Sequence, residues 1–114
     1  MSKINEVEKG YQGWTNYETW NVKLWIDNDQ SSYNYWQDRA KEALKEAKPS
    51  QYFTKEQEAV NMLREALKEA IEAQAEDMLE NSNNQASCMA DLLHSAVSEV
   101  NFQEIAKSLI EDME

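Results

Sequence analysis

Cys88 and His94, one of each in 114 residues, are the nucleophile and the base this chain has to offer near neutral pH. The two fall six residues apart in one predicted helix, so they point away from each other and do not make a working pair. His94 reads as a residue of the helix surface or the core edge. A single cysteine excludes an intramolecular disulfide and a multi-cysteine zinc site, and a single histidine excludes an imidazole cluster for a metal or a proton relay. The carboxylates lack the D-x-D-x-D-G loop of a calcium site, which leaves weak divalent-ion binding as the most they would do, and there is neither a P-loop nor a dinucleotide fingerprint. Carboxylates do acid and base work only where burial or a neighbour perturbs one of them, and acids on an exposed helix face have neither. No catalytic residue, metal site or cofactor is assigned, and the expectation is a non-enzymatic protein.

What the sequence concentrates instead is negative charge. Eleven Lys and Arg against 22 Asp and Glu leave a net charge of −11, and that charge is unevenly placed. Residues 1–53 carry seven basic and eight acidic side chains, whereas residues 54–114 carry four and fourteen. At 100° per residue, Glu58, Glu65, Glu69, Glu72, Glu76 and Glu80 fall within about 80° of one another on one long predicted helix. Glu72, Glu76 and Glu80 repeat at i, i+4, a spacing at which like charges weaken a helix by a few tenths of a kcal/mol per pair. A ridge that weakens its own helix suggests an acidic face for a basic partner, as a nucleic-acid mimic would have; a merely solvated face is the plainer reading. The six carboxylates span about 33 Å, about 6.6 Å apart, against one phosphate every 3.4 Å along a DNA strand. A full mimic therefore needs a second row, which Glu99, Glu104, Glu111, Asp112 and Glu114 supply if the last helix packs alongside. So acidic a chain argues against direct binding to nucleic acid or anionic lipid and for a basic protein or nucleoprotein partner.

The elements that position these residues are helical. Only Gly10, Gly13 and Pro49 interrupt regular structure. Residues 1–13 read as a flexible arm and residues 14–114 as a single compact all-α domain of about five helices, with one long central acidic helix. Thr15 and Glu18 form a capping-box pattern for a first helix reaching about Asn28, with Trp20, Tyr17, Asn21, Leu24 and Asn28 on one side and apolar residues around most of its circumference. A second helix, beginning at Ser32 and ending before Pro49, turns Tyr33, Trp36, Ala40, Ala43 and Leu44 inward. Thr54 and Gln57 form another capping box, with Tyr52 and Phe53 as its hydrophobic staple. From there one helix runs to about Asn81 with the stripe Val60, Leu63, Leu67, Ile71 and Met78, Gln74 filling the missing step. After an asparagine-rich break at 81–85, a fourth helix over about 86–99 faces Met89, Leu92, Leu93, Ala96, Val97 and Val100 inward. Asn101 and Glu104 open a fifth, with Phe102, Ile105, Ala106, Leu109 and Ile110 inside.

All four tryptophans and all five tyrosines lie in the first 52 residues. The expectation is that most of them pack in the core and one or two remain exposed as a contact patch, with Trp25 and Tyr35 as the candidates. Asn21 and Asn28, on the Trp20 side, read as register-fixing polar residues that need hydrogen-bond partners.

The segment GWTNYETWNVKLWIDND (13–29), followed by Tyr33 and Trp36, resembles a family of small uncharacterised proteins encoded by bacteriophages, plasmids and some prokaryotic genomes, whose members share an N-terminal NxETWNVALW-like motif. Lys23 stands where that motif has alanine. The stretch LLHSAVSEVNFQEIAKSLIED (92–112) is similar to the family's C-terminal segment. The resemblance implies a mobile-element accessory protein in a prokaryotic cytoplasm, and by analogy of class an inhibitor of a host defence system, of the anti-CRISPR or anti-restriction type. The start MSKINEVEKG has no signal-peptide stretch, and no run approaches a membrane span, which fits a reducing, cytoplasmic setting. The competing expectation is a structural or self-associating interaction domain that uses the aromatic half. A stripe as narrow as that of the long helix packs equally well within the chain or against a second copy, so monomer and homodimer both stay open.

Overall fold

Asn16, not Thr15, caps the first helix: its Oδ1 accepts the Thr19 N–H at 2.9 Å, and α1 runs Tyr17–Asn28. The structure is a computed structural model that describes residues 10–83 and 87–113. Most of the expected arm (1–9), part of the asparagine-rich break (84–85) and Glu114 lie outside the described residues. Thr15 sits one residue before the cap, and its N–H donates to Glu104 Oε1 at 3.1 Å.

α2 (Gln30–Glu46) follows after Asp29 alone, which is both the C-cap of α1 and the N-cap of α2. α3 (Lys55–Asn81) has both halves of its capping box, Thr54 Oγ1 accepting from the Gln57 N–H at 3.1 Å and Gln57 Oε1 from the Thr54 N–H at 2.9 Å. The expected staple does not form, because the fourth helical residue is Glu58; Tyr52 and Phe53 are exposed. Ser87 caps α4 (Cys88–Ser98), and Asn101 caps α5 (Phe102–Asp112) by accepting the Glu104 N–H at 3.0 Å. The fold is all-α and a single domain, and among the described residues there are five helices and one β-bridge, Tyr11 with Trp14.

α3 and α5 form the centre, with α2 laid on both, α1 on α2 and α5, and α4 on α3. α5 turns inward the residues its periodicity marks: Phe102, Ile105, Ala106, Leu109 and Ile110 are all buried. Facing them are Leu63 and Leu67 of α3, together with Ala40, Ala43, Ala47 and Ala59, whose small side chains let the helix axes approach closely. The core is therefore aliphatic. Of the nine tryptophans and tyrosines Trp36 alone is buried and all five tyrosines are exposed, which corrects the expectation of an aromatic core.

α1, expected to be buried on most sides, is buried along one side only. Its buried residues are Thr19 and Ile26, so Tyr17, Trp25 and Asn28 face outward; Asn21 is half-buried, its amide donating to Tyr17 Oη at 3.3 Å. On α3 the inward line is Ala59, Leu63, Leu67, Ala75 and Leu79, with Ile71 and Val60 half-buried and Met78 exposed. On α4 it is Ala90, with Leu93, Ala96 and Val97 half-buried, while Met89 and Leu92 are exposed, contrary to expectation.

A tight turn anchors the N-terminal side of α1. Tyr11 and Trp14 exchange two backbone hydrogen bonds of 2.9 and 2.7 Å across Gln12 (φ 48°) and Gly13 (φ 89°), a two-residue loop of the primed kind. Tyr11 then packs edge-on against Tyr17 and Trp20, with ring centroids 5.4 and 5.0 Å away. At Gly10 (φ 44°) an added Cβ would stand 2.6 Å from the Thr15 carbonyl oxygen. Gly10→Ala is expected to cost about 2 kcal/mol, read as a drop of several degrees in the thermal midpoint by circular dichroism. An unchanged midpoint would show that the turn contributes nothing to the fold.

Candidate functional site

The ridge is laid out by a seam that winds around α3. The inward residues 59, 63, 67, 71, 75 and 79 recur every four positions, which advances the buried line by about 40° at each step. In the N-terminal half the glutamates stand opposite the buried side, and toward the C-terminus the seam swings round until they flank the α3–α4 contact. Glu65, Glu69, Glu72, Glu76 and Glu80 are exposed and Glu58 is half-buried. Glu69, Glu72 and Glu76 border a groove against α4, whose other wall is His94, Val97 and Ser98.

Two cations and a histidine temper this surface. Arg64 Nη2 lies 3.1 Å from Glu65 Oε2, Lys68 Nζ lies 3.9 Å from Glu72 Oε2, and His94 Nε2 lies 2.7 Å from Glu76 Oε2, an ion pair when the imidazole is protonated. Glu58, Glu69 and Glu80 have no ion pair among the described residues. At such exposure each pair contributes at most about 1 kcal/mol, and a partner cation can displace it. The histidine that reads as a surface residue thus belongs to the edge of the ridge. Cys88 is exposed at the start of the same helix.

Of the expected second acidic row, the three α5 residues Glu104, Glu111 and Asp112 do not lie beside the first, because α5 packs on the Ala59, Leu63 and Leu67 side of α3; Glu99 ends α4, and Glu114 lies outside the described residues. Glu111 shares a pocket with Glu56, Val60 and Lys107, and Glu104 accepts from the Thr15 N–H. The ridge remains a single row at about half the linear charge density of a DNA strand.

Trp25 and Tyr35 stand on α1 and α2, 63% and 50% exposed. Tyr35 is held in place, edge-on to Trp36 at 4.9 Å and accepting from Arg39 Nη1 at 2.8 Å. No ring contact joins Trp25 to Tyr35 among the described residues.

The polar residues of the N-terminal motif have a different role. Thr19 is fully buried; its Oγ1 donates to Asn16 Oδ1 at 2.6 Å and accepts the Asn101 N–H at 2.8 Å. Asn16 Nδ2 donates to the Glu99 carbonyl at 2.7 Å. Together with the bond from the Thr15 N–H to Glu104, these contacts clasp the start of α1 to the α4–α5 junction, more than 80 residues away in sequence. The sequence signal for this clasp is Asn16-x-x-Thr19, an N-cap pattern shifted by one residue from the Thr15 box.

Among the described residues, no group of three or more His, Cys, Asp and Glu is placed to hold a metal ion, and no helix is long and apolar enough to cross a membrane. The fold and this surface define a small, acidic, all-α single-domain protein with an exposed carboxylate ridge. The chain belongs to DUF7249, a family of unknown function, whose model matches residues 7–114. Neither a curated protein nor a solved structure matches it.

Proposed function

We propose that this protein is a non-enzymatic accessory protein of a phage or plasmid, acting in the prokaryotic cytoplasm, that binds a basic host protein or nucleoprotein complex and inhibits or modulates it. The target class is a defence nuclease or other nucleic-acid-binding complex, and the docking surface is the ridge of α3. The observation that carries this reading is that Glu65, Glu69, Glu72, Glu76 and Glu80 are exposed along one helix, with α4 bordering only one side of the row. A rigid helix fixes the spacing of its charges before binding, so little ordering cost opposes a basic groove that fits. The mobile-element origin rests on the resemblance of NYETWNVKLW to the phage and plasmid motif.

The test is capture from prokaryotic lysate on the immobilised protein at low and at moderate salt, with the bound proteins identified by mass spectrometry. The expected result is one nucleic-acid-binding or defence complex, released as salt rises and absent when Glu65, Glu69, Glu72 and Glu76 are all changed to Lys, because association between exposed charges is screened over about 8–10 Å. A partner retained equally by the reversed protein would overturn the ridge as its docking surface.

The outward turn of α1 favours a second reading, an interaction domain that uses its aromatic half. Trp25 and Tyr17 are large apolar groups on the solvent side of a helix, the kind of side chain that anchors protein interfaces. Binding there is expected to survive moderate salt and to be lost on Trp25→Ser or Tyr35→Ser.

A further inference from the structure

The ridge is supplied with positive charge unevenly. In its N-terminal half the cations stay charged near neutral pH: Arg64 is paired with Glu65, and Lys68 with Glu72. Beyond Lys68 neither Lys nor Arg occurs until Lys107, although the same stretch holds Glu69, Glu72, Glu76, Asp77 and Glu80, and then Asp91 and Glu99. His94, the one histidine of the chain, is the side chain in that stretch that can take up a positive charge. It stands on α4 with its Nε2 2.7 Å from Glu76 Oε2 of α3, at the groove between the two helices. The charge of the C-terminal half of the ridge is therefore set by one proton.

We infer that His94 makes the ridge proton-sensitive, holding Glu76 in an ion pair of no net charge when the imidazole is protonated and leaving it as a full negative charge for a basic partner when it is not. This inference rests on the ridge being the docking surface and names how that surface is regulated. The groups around His94 set the direction of the effect. From α3, the helix against which α4 packs, they are Glu69, Glu72 and Glu76 along the groove, with Glu80 one turn further on; from α4 itself the charged neighbour is Asp91, one turn before it. All five are acids, and Lys68, the preceding cation in the chain, is already placed on Glu72. The two side chains of the pair are 49% and 61% exposed, so a proton reaches them without the helices parting. A neutral imidazole with its hydrogen on Nε2 still donates to Glu76, so the geometry stays and the charge of the pair changes from zero to −1. Binding of a cationic partner is thus weakened as pH falls from 8 to 6, the interval in which a histidine changes charge and a glutamate ordinarily does not. One unit of charge at an exposed contact corresponds to roughly a threefold change in affinity.

A rhodamine-labelled hexa-arginine peptide, titrated with the full chain at low salt and followed by fluorescence anisotropy at pH 6 and pH 8, tests this. Guanidinium groups keep their charge throughout, so a pH effect on binding belongs to the protein. The parent is expected to bind about threefold more tightly at pH 8. His94→Gln, which keeps an N–H donor and cannot charge, is expected to bind equally at both pH values and as tightly as the parent does at pH 8; His94→Lys is expected to bind at pH 8 as the parent does at pH 6. His94 is exposed, and circular dichroism checks that each variant keeps its helices. Equal affinity of the parent at the two pH values, or a difference that His94→Gln retains, would overturn the regulation while leaving the ridge as a docking surface, provided that the protein with Glu65, Glu69, Glu72 and Glu76 changed to Lys fails to bind the peptide. Equal binding by that reversed protein, or no binding by the parent, would overturn the ridge and its regulation together.

Discussion

Thr19→Val is expected to lower the stability of this protein by about 3 kcal/mol although it changes neither volume nor branching. The Thr19 hydroxyl is fully buried and serves two groups at once, donating to Asn16 Oδ1 at 2.6 Å and accepting the Asn101 N–H at 2.8 Å. Valine leaves the part-buried Asn101 N–H without its acceptor, and an unsatisfied donor costs about 1–3 kcal/mol, with the lost Asn16 bond added to it. The position also joins distant parts of the chain, so the loss loosens the clasp that holds α1 to the α4–α5 junction. Urea unfolding followed by circular dichroism measures the change; Thr19→Ser, which keeps the hydroxyl, is expected to recover more than half of it. A valine variant within 0.5 kcal/mol of the parent would remove the clasp from the account.

Leu67→Ala is expected to be costlier still, at roughly 3–5 kcal/mol, because Leu67 is fully buried where α2, α3 and α5 meet and the cavity cannot collapse against fixed helices. For a domain whose whole stability is about 5–15 kcal/mol, this leaves a protein close to its unfolding threshold. Met78→Ala, eleven residues along the same sequence stripe, is expected to change the stability of the monomer by less than about 0.5 kcal/mol, since Met78 is exposed. The contrast is read by denaturant titration at low protein concentration. Equal losses at the two positions would mean that Met78 is buried within its own chain.

How much of this was legible in the sequence depended on what each helix packs against. α5 was readable in full, from the Asn101 cap to the five buried apolar residues, because it is buried along one face and its period is unbroken. The capping box and length of α3 were equally plain. Its inward line was not, since the buried positions advance with a four-residue step and two of them, Ala59 and Ala75, are alanines that score weakly as apolar. The stripe ending at Met78 followed the larger side chains instead, and led onto an exposed side of α3. α1 was hard to read for the opposite reason: its apolar residues surround most of the helix, while its most buried residue is a threonine whose polarity is satisfied by Asn16 and Asn101. An alanine-lined core leaves little room for the large rings, which is why the aromatic half surrounds the core and does not fill it. The glutamate ridge was legible because six charges on one helix need only its period, whereas the placement of Glu104, Glu111 and Asp112 away from it required knowing which side of α3 receives α5.

The direct test of the ridge as an inhibitory surface is displacement. The basic partner recovered from lysate is bound to a labelled DNA duplex, and the protein is titrated in at low salt while fluorescence anisotropy reports the DNA. The account predicts that the parent chain releases the duplex in a salt-sensitive manner, and that the protein with Glu65, Glu69, Glu72 and Glu76 changed to Lys fails to do so at any concentration at which it remains folded. Equal displacement by the two proteins, or binding of the parent chain to the partner with the DNA still in place, would contradict it.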